Sequence, residues 1–373
     1  MINLRRLNAL IIKEFYQIIR DPSSILISLV LPAILLFIYG YGISLDYEHL
    51  KIGLVLEDTS PDVQSFSKAL TDSPYFSVEI GRHQREFDSK IVDGSVRGIV
   101  VVPSYFSSFR QRTDQIAPIQ VIADGSEPNT ANFVQNYVRG AFQNWLVQEL
   151  ISSRWRPWEP IRLEQRFWFN EALESRNFLI PGSIALIMTL IGTLLTSLVV
   201  AREWERGTME ALMATPVTIT ELVLGKLISY FLLGMISFFF AATIAVFFYQ
   251  VPLRGSWLLL TLCSTIFLWA ALGMGLLIST ASKNQFVASQ AAIISGFLPA
   301  FMLSGFIFEI SSMPPPIQWL TYLIPAKYFV SCLQTIFLAG TVGKLIAYNL
   351  AAMGAIALLL FLYTARLTVK RLD

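Results

Sequence analysis

Six stretches of the chain are almost purely apolar and are long enough to cross a lipid bilayer. A transmembrane helix needs about 20 apolar residues to cross a hydrocarbon core of roughly 30 Å. The stretches that qualify are residues 24–45, 179–200, 227–249, 257–280, 286–308 and 345–365. The pattern therefore predicts a polytopic α-helical membrane protein with six transmembrane helices.

The segment between the first two spans, residues 46–178, has a different pattern. Helical periodicity at 63–70 and 87–92 separates short strand-like runs, and from residue 129 aromatic residues recur at the spacing of a long amphipathic helix. The strand-like runs are 51–58, 75–81, 97–103 and 118–124. We expect an inserted extracytoplasmic α/β domain, in which the aromatic residues of the long helix pack in a core or form a ligand surface.

Lysine and arginine residues indicate the orientation of the spans. With both termini inside, eleven of these residues lie in cytoplasmic segments and three, Arg254, Lys327 and Lys344, lie in short outer loops. This asymmetry agrees with the positive-inside rule, and the insert does not count because long domains are translocated regardless of charge. We expect a multi-pass membrane protein with both termini in the cytoplasm and a cytoplasmic tail at 366–373.

Residues 309–344, between the fifth and sixth spans, contain two apolar patches interrupted by prolines at 314–316 and 325. Each patch is too short to cross the bilayer. A seventh span would also move the basic C-terminus outside. These residues are therefore predicted to form re-entrant or interfacial helices on the outer face.

Composition supports a membrane protein and excludes several other classes. Hydrophobic residues make up 54% of the chain and charged residues 14%, with a mean hydropathy of +0.57. The net charge of +2 and the lack of a basic block with interleaved aromatics exclude nucleic-acid binding. The two histidines and two cysteines have no metal-ligand spacing, and no phosphate-binding glycine loop occurs. We expect no catalytic, cofactor or metal site in this chain.

The segment 201–226 places many charges between two apolar spans. Thr218 and Glu221 have the spacing of a capping box, so the third span begins near Thr218. Gly207 permits a bend and Thr208 is a favourable N-cap, with Glu210 in the first turn, where the helix dipole favours an anion. A short helix at 208–215 is predicted, and the alternative is a solvated turn with a collar of charges.

The predicted spans contain no Asp, Glu, Lys, Arg or His apart from Glu309 at an outer edge. Charges inside membranes are costly and are kept where ions or protons must move. Their absence argues against a proton-driven carrier. Because the chain also lacks a nucleotide-binding loop, the energy for any transport must come from an ATPase partner.

Four segments carry a resemblance to a known family. They are "REWERGTMEALMATP" (202–216), "LSGFIFEISSMPPPIQWLTYLIPAKYFV" (303–330), "IQVIADGSEPNTANFVQNYV" (119–138) and "RDPSS" (20–24). The chain resembles the ABC-2-type exporter permeases over essentially its whole length, and in particular a bacterial subgroup with a large outer domain between spans one and two.

The resemblance implies that the loop after span two docks on a separate ATP-binding cassette subunit, which binds ATP and magnesium. The coupling residues it implies are Arg202, Glu203, Glu205, Gly207, Thr208 and Glu210. It also places the amphipathic helix of residues 1–23 beside the ATPase, although a membrane-interface anchor is an alternative. The apolar face of that helix is formed by Leu4, Leu7, Ile11, Phe15 and Ile18.

Family members pair two permeases, so a homodimer or a heterodimer with a paralogue is expected, with a periplasmic adaptor and membrane lipid as further partners. The residues proposed for a translocation path or dimer interface are Thr189, Thr193, Thr196, Ser289, Gly296 and Ser304. Helix packing explains such small and polar residues equally well. Glu309, at the outer mouth, departs from the family pattern.

The function predicted from the sequence is that of a non-catalytic permease subunit, which couples ATP hydrolysis by its partner to efflux of an apolar or amphipathic compound, drug-like or lipid-like. The alternative is a mechanotransmitting or receptor-like membrane protein that acts on a periplasmic partner through its outer domain.

Overall fold

The computed structural model describes residues 3–42, 49–110, 119–125, 128–152, 169–170 and 174–367. The chain divides into two compact units. A membrane unit comprises Met1–Ser44 and Arg166–Asp373, and an outer unit comprises Leu45–Gln165. The last residues of the predicted tail, the start of the predicted fourth strand at 118, and residues 153–168 of the predicted outer domain lie outside the described residues.

The membrane unit begins with two helices, α1 (Leu4–Ile19) and α2 (Pro22–Gly42). The α2 helix contains Pro32, which lacks a backbone N–H and therefore leaves the carbonyl of Ser28 without its helical donor. The hydroxyl of Ser237 donates to this carbonyl. Because a free carbonyl is costly in a lipid environment, this hydrogen bond holds α2 against the helix that carries Ser237.

The outer unit is built on a four-stranded sheet with the order β2-β1-β3-β4. Its elements are β1 (Leu50–Leu56), α3 (Pro61–Thr71), β2 (Phe76–Gly81), α4 (Arg85–Val92), β3 (Gly98–Val102), α5 (Phe106–Arg110), β4 (Gln120–Ala123) and α6 (Pro128–Ser152). Strand β1 pairs in parallel with β2 and β3, and β4 runs antiparallel to β3. The inserted α/β domain is confirmed, and each described strand end lies within two residues of its prediction.

The two faces of the sheet are covered by different helices. Helices α3 and α6 pack on one face, where Phe66, Val100 and Trp145 are buried, and α4 packs on the other through Phe87. The indole nitrogen of Trp145 donates to the hydroxyl of Ser65 at 3.0 Å. The aromatic residues of α6 therefore pack against the domain core, which was the first of the two predicted roles.

The rest of the membrane unit is helical. Its elements are α7 (Ser175–Glu205), α8 (Thr208–Met213), α9 (Ile219–Phe248), α10 (Trp257–Ser282), α11 (Gln285–Leu303), α12 (Pro315–Thr321), α13 (Pro325–Ala339) and α14 (Gly343–Leu367). In the described chain, α2, α7, α9, α10, α11 and α14 are long and apolar enough to cross a membrane. The predicted six-span architecture is thus confirmed.

Helices α12 and α13 meet at 80°, and they would add a seventh span only if this bent pair crossed as one element. Such a bend is what a re-entrant segment requires. Phe329 of α13 is fully buried, and its ring stacks on Phe267 of α10 with centroids 4.0 Å apart. Helix α13 is therefore packed into the helical bundle.

Helix α7 lies at the centre of the bundle. In its most apolar window 83% of residues are buried, against 17% in α14, which leaves α14 at the periphery. Ile266 of α10 lies beside Gly354 of α14, and Gly273, further along α10, lies beside Leu360, further along α14. These two helices therefore run in the same direction.

Contacts between helix termini define two ends of the bundle. One end contains α1, the C-terminus of α7, helix α8, and the N-termini of α9 and α11. We call it the inner end, because the sequence predicts that it is cytoplasmic. The outer end contains the N-terminus of α7, where Phe178 stacks on Phe306 with centroids 6.0 Å apart.

Candidate functional site

A short helix, α8, projects at the inner end directly after α7. Helix α7 ends at Glu205, and Gly207 adopts a left-handed conformation with φ of 68°. Glycine adopts this conformation without the steric cost that a Cβ atom brings. The predicted bend at Gly207 is therefore present, but the N-cap of α8 is Gly207 and not Thr208, whose hydroxyl instead donates to the carbonyl of Glu203 at 3.3 Å.

Helix α8 has one face that contacts its own chain. Met209 is buried and Leu212 packs against the bundle core. These two apolar residues are therefore not free to be held by a partner, and the side chain of Met213 lies outside the description. We call the exposed residues of this segment the coupling surface: Arg206, Gly207, Thr208, Glu210 and Ala211.

The start of α9 has the predicted capping box. The Thr218 hydroxyl accepts from the backbone N–H of Glu221 at 3.3 Å, and the Glu221 carboxylate accepts from the N–H of Thr218 at 2.9 Å. The other carboxylate oxygen of Glu221 accepts from the N–H of Asn3 at 2.6 Å. The same glutamate therefore caps α9 and fixes the start of α1.

Four charged side chains form a closed cluster between α1, α7 and α9, which we call the ionic ring. The ammonium group of Lys226 lies 2.9 Å from Oε1 of Glu14 and 2.8 Å from Oε1 of Glu203. The ammonium group of Lys13 lies 2.9 Å from Glu14 and 2.5 Å from Glu203. Two cations and two anions alternate, so the ring carries no net charge.

Three members of the ionic ring are almost completely removed from solvent. Glu14, Glu203 and Lys226 are each 2% exposed, whereas the Lys13 side chain is 42% exposed. Burial raises the pKa of the Glu14 carboxyl, but the ammonium groups of Lys226 and Lys13 outweigh this effect and hold the pKa below its ordinary value. Glu14 is thus a carboxylate at neutral pH, and losing either lysine would leave buried negative charge poorly compensated.

A second ion pair lies next to the ring. The guanidinium group of Arg202 bonds to the Asp21 carboxylate at 2.6 Å, and its Nε donates to the side chain of Gln285 at 3.3 Å. Glu205 accepts from the backbone N–H of Gln285 at 2.8 Å. Arg202 and Glu205 therefore join the end of α7 to the starts of α2 and α11.

The sequence prediction missed Glu14, Lys226, Asp21 and Gln285 as parts of this site. It treated 201–226 as a loop, but α7 continues to Glu205 and α9 begins at Ile219, so Arg202, Glu203 and Lys226 belong to the spanning helices. The statement that the spans lack charges is therefore wrong for these longer helices. One signal was available, since Glu14 lies three residues after Ile11 and four before Ile18, within the apolar stripe.

The predicted apolar face of α1 is also only partly correct. Leu10 packs against Gly225 of α9 and Ile18 is buried, but Leu4 is 77% and Phe15 43% exposed. The packing face is shifted because Glu14 lies at its centre and is neutralised by the ionic ring. The exposed residues of α1 leave a second apolar face, which could lie in the membrane interface.

The proposed path residues are mostly buried inside the chain. The hydroxyls of Thr189, Thr193 and Thr196 each donate at 2.7 Å to a carbonyl one turn earlier, and Thr196 also donates to Leu272 of α10 at 3.0 Å. Gly296 packs directly against Thr193. In this conformation these residues serve helix packing, so a translocation path or a dimer interface along them stays a prediction that requires the helices to separate.

The remaining predicted residues occupy three different environments. Ser289 is half-buried and donates to the carbonyl of Phe286 at 2.9 Å. Ser304 is buried at the outer end, and Glu309 is exposed near it, where its carboxylate accepts from the Ser311 hydroxyl at 2.5 Å.

Comparison with known proteins identifies the family. A family model described as ABC-2 family transporter protein matches residues 22–366. The chain belongs to the ABC-2 transporter family. This ABC-2 permease is 50% identical over 374 residues to the probable multidrug ABC transporter permease YbhS of Escherichia coli (strain K12), covering 100% of this chain and 99% of the relative.

Two further relatives come from the same organism. The probable multidrug ABC transporter permease YbhR is 30% identical over 341 residues, covering 89% of this chain and 90% of the relative. The inner membrane transport permease YhhJ is 28% identical over 233 residues, covering 60% and 59%. The predicted family is confirmed, and membership makes this ABC-2 permease a non-catalytic transport subunit that works with an ATPase partner and pairs with a permease.

Proposed function

We propose that this permease transmits the movement of a separate ATPase subunit, which binds ATP and magnesium, from the coupling surface to the membrane helices. In this way it would drive efflux of an apolar or amphipathic compound, drug-like or lipid-like. The proposal places the inner end and both chain termini in the cytoplasm of a bacterium, with the outer unit on the opposite side of the inner membrane.

The observation that carries the proposal is that an exposed helix is anchored to a buried charge cluster. The coupling surface, which includes Glu210, is exposed, and it begins at Arg206, within one helical turn of Glu203 in the ionic ring. The ring connects α1, α7 and α9, and the Arg202 and Glu205 contacts add α2 and α11. A displacement of α8 would therefore be shared by five helices.

This arrangement divides the six residues assigned to coupling into two groups. Gly207, Thr208 and Glu210 belong to the coupling surface and are available to touch the ATPase. Arg202 and Glu203 are buried, and Glu205 is bonded to Gln285, so we assign these three to fixing α7 relative to its neighbours.

The class of compound is supported by the relatives, since YbhS and YbhR are both named as probable multidrug permeases. The localisation is supported in the same way by YhhJ, which is named as an inner membrane permease. We further propose that the pairing partner is a second copy or a paralogue, and that a periplasmic adaptor would engage the outer unit.

The test reverses one charge on the coupling surface. Glu210 lies in the first turn of α8, where a carboxylate favours the helix by about 0.3–1 kcal/mol. We expect Glu210→Lys to reduce substrate-stimulated ATP hydrolysis and export by tenfold or more in proteoliposomes that contain the ATPase subunit, because a partner contact is lost as well. The matched control is Asp88→Lys, which reverses an exposed carboxylate in the first turn of α4 in the outer unit.

Full export by Glu210→Lys at wild-type membrane levels would contradict the assignment and leave the solvated collar as the better interpretation. The same assay tests the alternative function. If ATP turnover depends on Glu210 but no drug-like or lipid-like compound crosses the proteoliposome membrane, the chain transmits force to a periplasmic partner and does not transport.

A further inference from the structure

A cavity of about 480 Å³ opens at the outer end of the membrane unit. It lies between the segment that follows α11, the bent pair α12 and α13, and the first turns of α14. Its lining includes Ser304, Glu309, Ser311, Tyr322, Lys327 and Gln334. None of them belongs to the ionic ring or to the coupling surface, so this cavity is separate from the site described above.

Two polar groups on the cavity wall are buried and find no hydrogen-bond partner among the described residues. They are the hydroxyl of Ser304, a residue that is 2% exposed, and the side-chain amide nitrogen of Gln334. Buried polar groups in proteins are nearly always hydrogen-bonded, because an unpaired one loses its hydrogen bonds to water without replacement. Both groups can donate a hydrogen bond, so the cavity offers unused donors to a ligand.

The cavity wall also bears the ammonium group of Lys327. The ammonium group of Lys327 donates to the Thr321 hydroxyl at 2.9 Å and lies 3.4 Å from the centre of the Tyr322 ring. In the described part of the chain Lys327 forms no ion pair. A hydroxyl and an aromatic face do not neutralise an ammonium group, so this position favours an anion, and two nearby donors favour one with several acceptor oxygens.

Opposite charge is present at the rim. The Glu309 carboxylate is exposed at the cavity edge and is oriented by the Ser311 hydroxyl. A ligand that carries an anionic group and an ammonium group could satisfy Lys327 and Glu309 together. The charges of the cavity thus suit a zwitterion better than a simple anion.

The segments that line the cavity also carry exposed apolar side chains. On the bent pair, Trp319 is 75% and Leu323 71% exposed, and Phe308 beside Glu309 is 50% exposed. Exposed aromatic side chains next to a charged site are typical of the membrane–water interface, where acyl chains and headgroups meet. A ligand with apolar tails could therefore cover these residues while its polar group entered the cavity.

We propose that this cavity binds the zwitterionic headgroup of a phospholipid, with the phosphate between Lys327, Gln334 and Ser304 and the amine at Glu309. The phosphodiester oxygens accept from all three donors, and the acyl chains lie along the exposed apolar residues of α12. This site is independent of the coupling proposal, because it requires neither an ATPase nor export.

The test is equilibrium binding to the purified full-length chain in a non-ionic detergent, measured by isothermal titration calorimetry. The probes are dihexanoyl phosphatidylethanolamine, dihexanoyl phosphatidylglycerol, dihexanoylglycerol and inorganic phosphate. We expect saturable binding of phosphatidylethanolamine, weaker binding of phosphatidylglycerol, and no measurable binding of dihexanoylglycerol, which lacks the phosphate.

Variants assign the binding to the cavity. Lys327→Gln should weaken phosphatidylethanolamine binding by about tenfold or more, since a charge-assisted hydrogen bond is lost, and Lys327→Arg should retain it. Glu309→Gln should weaken binding of phosphatidylethanolamine but not of phosphatidylglycerol. The matched control is Lys344→Gln, because Lys344 is exposed at the start of α14 and does not line the cavity.

Three results would overturn the proposal. Equal binding of dihexanoylglycerol would show that the apolar surface alone holds the lipid. Binding of inorganic phosphate as tight as that of the phospholipid would assign the cavity to a free anion. Unchanged phosphatidylethanolamine binding by Lys327→Gln would place the lipid elsewhere. If Lys327→Gln loses binding, a melting temperature equal to that of the wild type and retained binding by Lys327→Arg exclude a folding artefact.

Discussion

The ionic ring makes a quantitative prediction for Lys226. In the wild type two lysines balance two glutamates. Lys226→Met removes one positive charge and puts an unbranched apolar side chain of similar length in its place. Glu14 and Glu203 then share only Lys13, which is partly exposed. The buried cluster is left with one uncompensated negative charge.

The cost can be bounded in two ways. Removing one partner of a buried ion pair typically destabilises a protein by about 3–5 kcal/mol. The alternative is that one glutamate takes up a proton. Protonating a carboxylate whose ordinary pKa is about 4.3 costs about 1.36 kcal/mol for each pH unit above that pKa, which is about 3.7 kcal/mol at pH 7. Because protonation limits the cost to the second figure, the expected loss for Lys226→Met at pH 7 is about 3–4 kcal/mol.

The pH dependence should distinguish the variant from the wild type. In the wild type, burial raises the pKa of Glu14 but Lys226 and Lys13 hold it below its ordinary value, so its contribution to stability is present at neutral pH and is lost on acidification. Without Lys226 we expect the pKa of Glu14 to lie above its ordinary value. The free energy of unfolding of Lys226→Met should therefore rise as the pH falls from about 7 to about 5, a range in which that of the wild type changes little.

The assay uses the two cysteines of the chain. Cys263 and Cys332 are free and fully buried in the bundle, so a thiol-reactive fluorophore labels them only when the membrane unit unfolds. A loss of 3–4 kcal/mol corresponds to a melting temperature lower by roughly 6–16 °C. Lys344→Met is the control, because Lys344 is exposed.

A second substitution tests whether the charges act on one another. Glu203→Gln added to Lys226→Met leaves Lys13 and Glu14 as a neutral pair, so the double variant should be more stable than Lys226→Met by about 2 kcal/mol or more. A melting temperature for Lys226→Met within about 2 °C of the wild type, or a double variant less stable than the single one, would refute the ionic ring as a stabilising unit.

Two further predictions concern the packing and the acid sensitivity of the membrane unit. A Cβ atom at Gly275 would collide with the Thr196 hydroxyl and the Thr193 carbonyl, so Gly275→Ala should lower stability by about 1–3 kcal/mol in the same thiol assay, whereas Gly343→Ala, where no atom lies within 4 Å, should not. Burial raises the pKa of Asp21, but hydrogen bonds from Ser24 and Arg202 outweigh it and lower the pKa, so this carboxylate contributes stability above its ordinary pKa that is lost on acidification. Asp21→Asn should therefore melt below the wild type at pH 7, and the difference should shrink below about pH 4; a difference that grows on acidification would contradict this reasoning.

Local pattern in the sequence determined the architecture of this permease. Long apolar runs leave a helix as the only element that satisfies its own backbone in lipid, so the six spans followed from hydropathy alone. Short alternating runs gave the four strands. The capping box at Thr218 and the bend at Gly207 could also be predicted, because each depends only on residues within a few positions of one another.

The ionic ring and the outer cavity were decided only by tertiary structure. The ring joins residues 13 and 14 to residues 203 and 226, and no local periodicity indicates which distant charges will neutralise one another. Sequence pattern places a charged residue outside the membrane helices because an isolated charge is costly there. Glu14, Glu203 and Lys226 are buried because they are brought together, and the cost of desolvating each is offset by the others. In the same way, the threonines of α7 have the sequence pattern of a polar path, but the glycines of α10 and α11 that pack against them make them part of a helix interface.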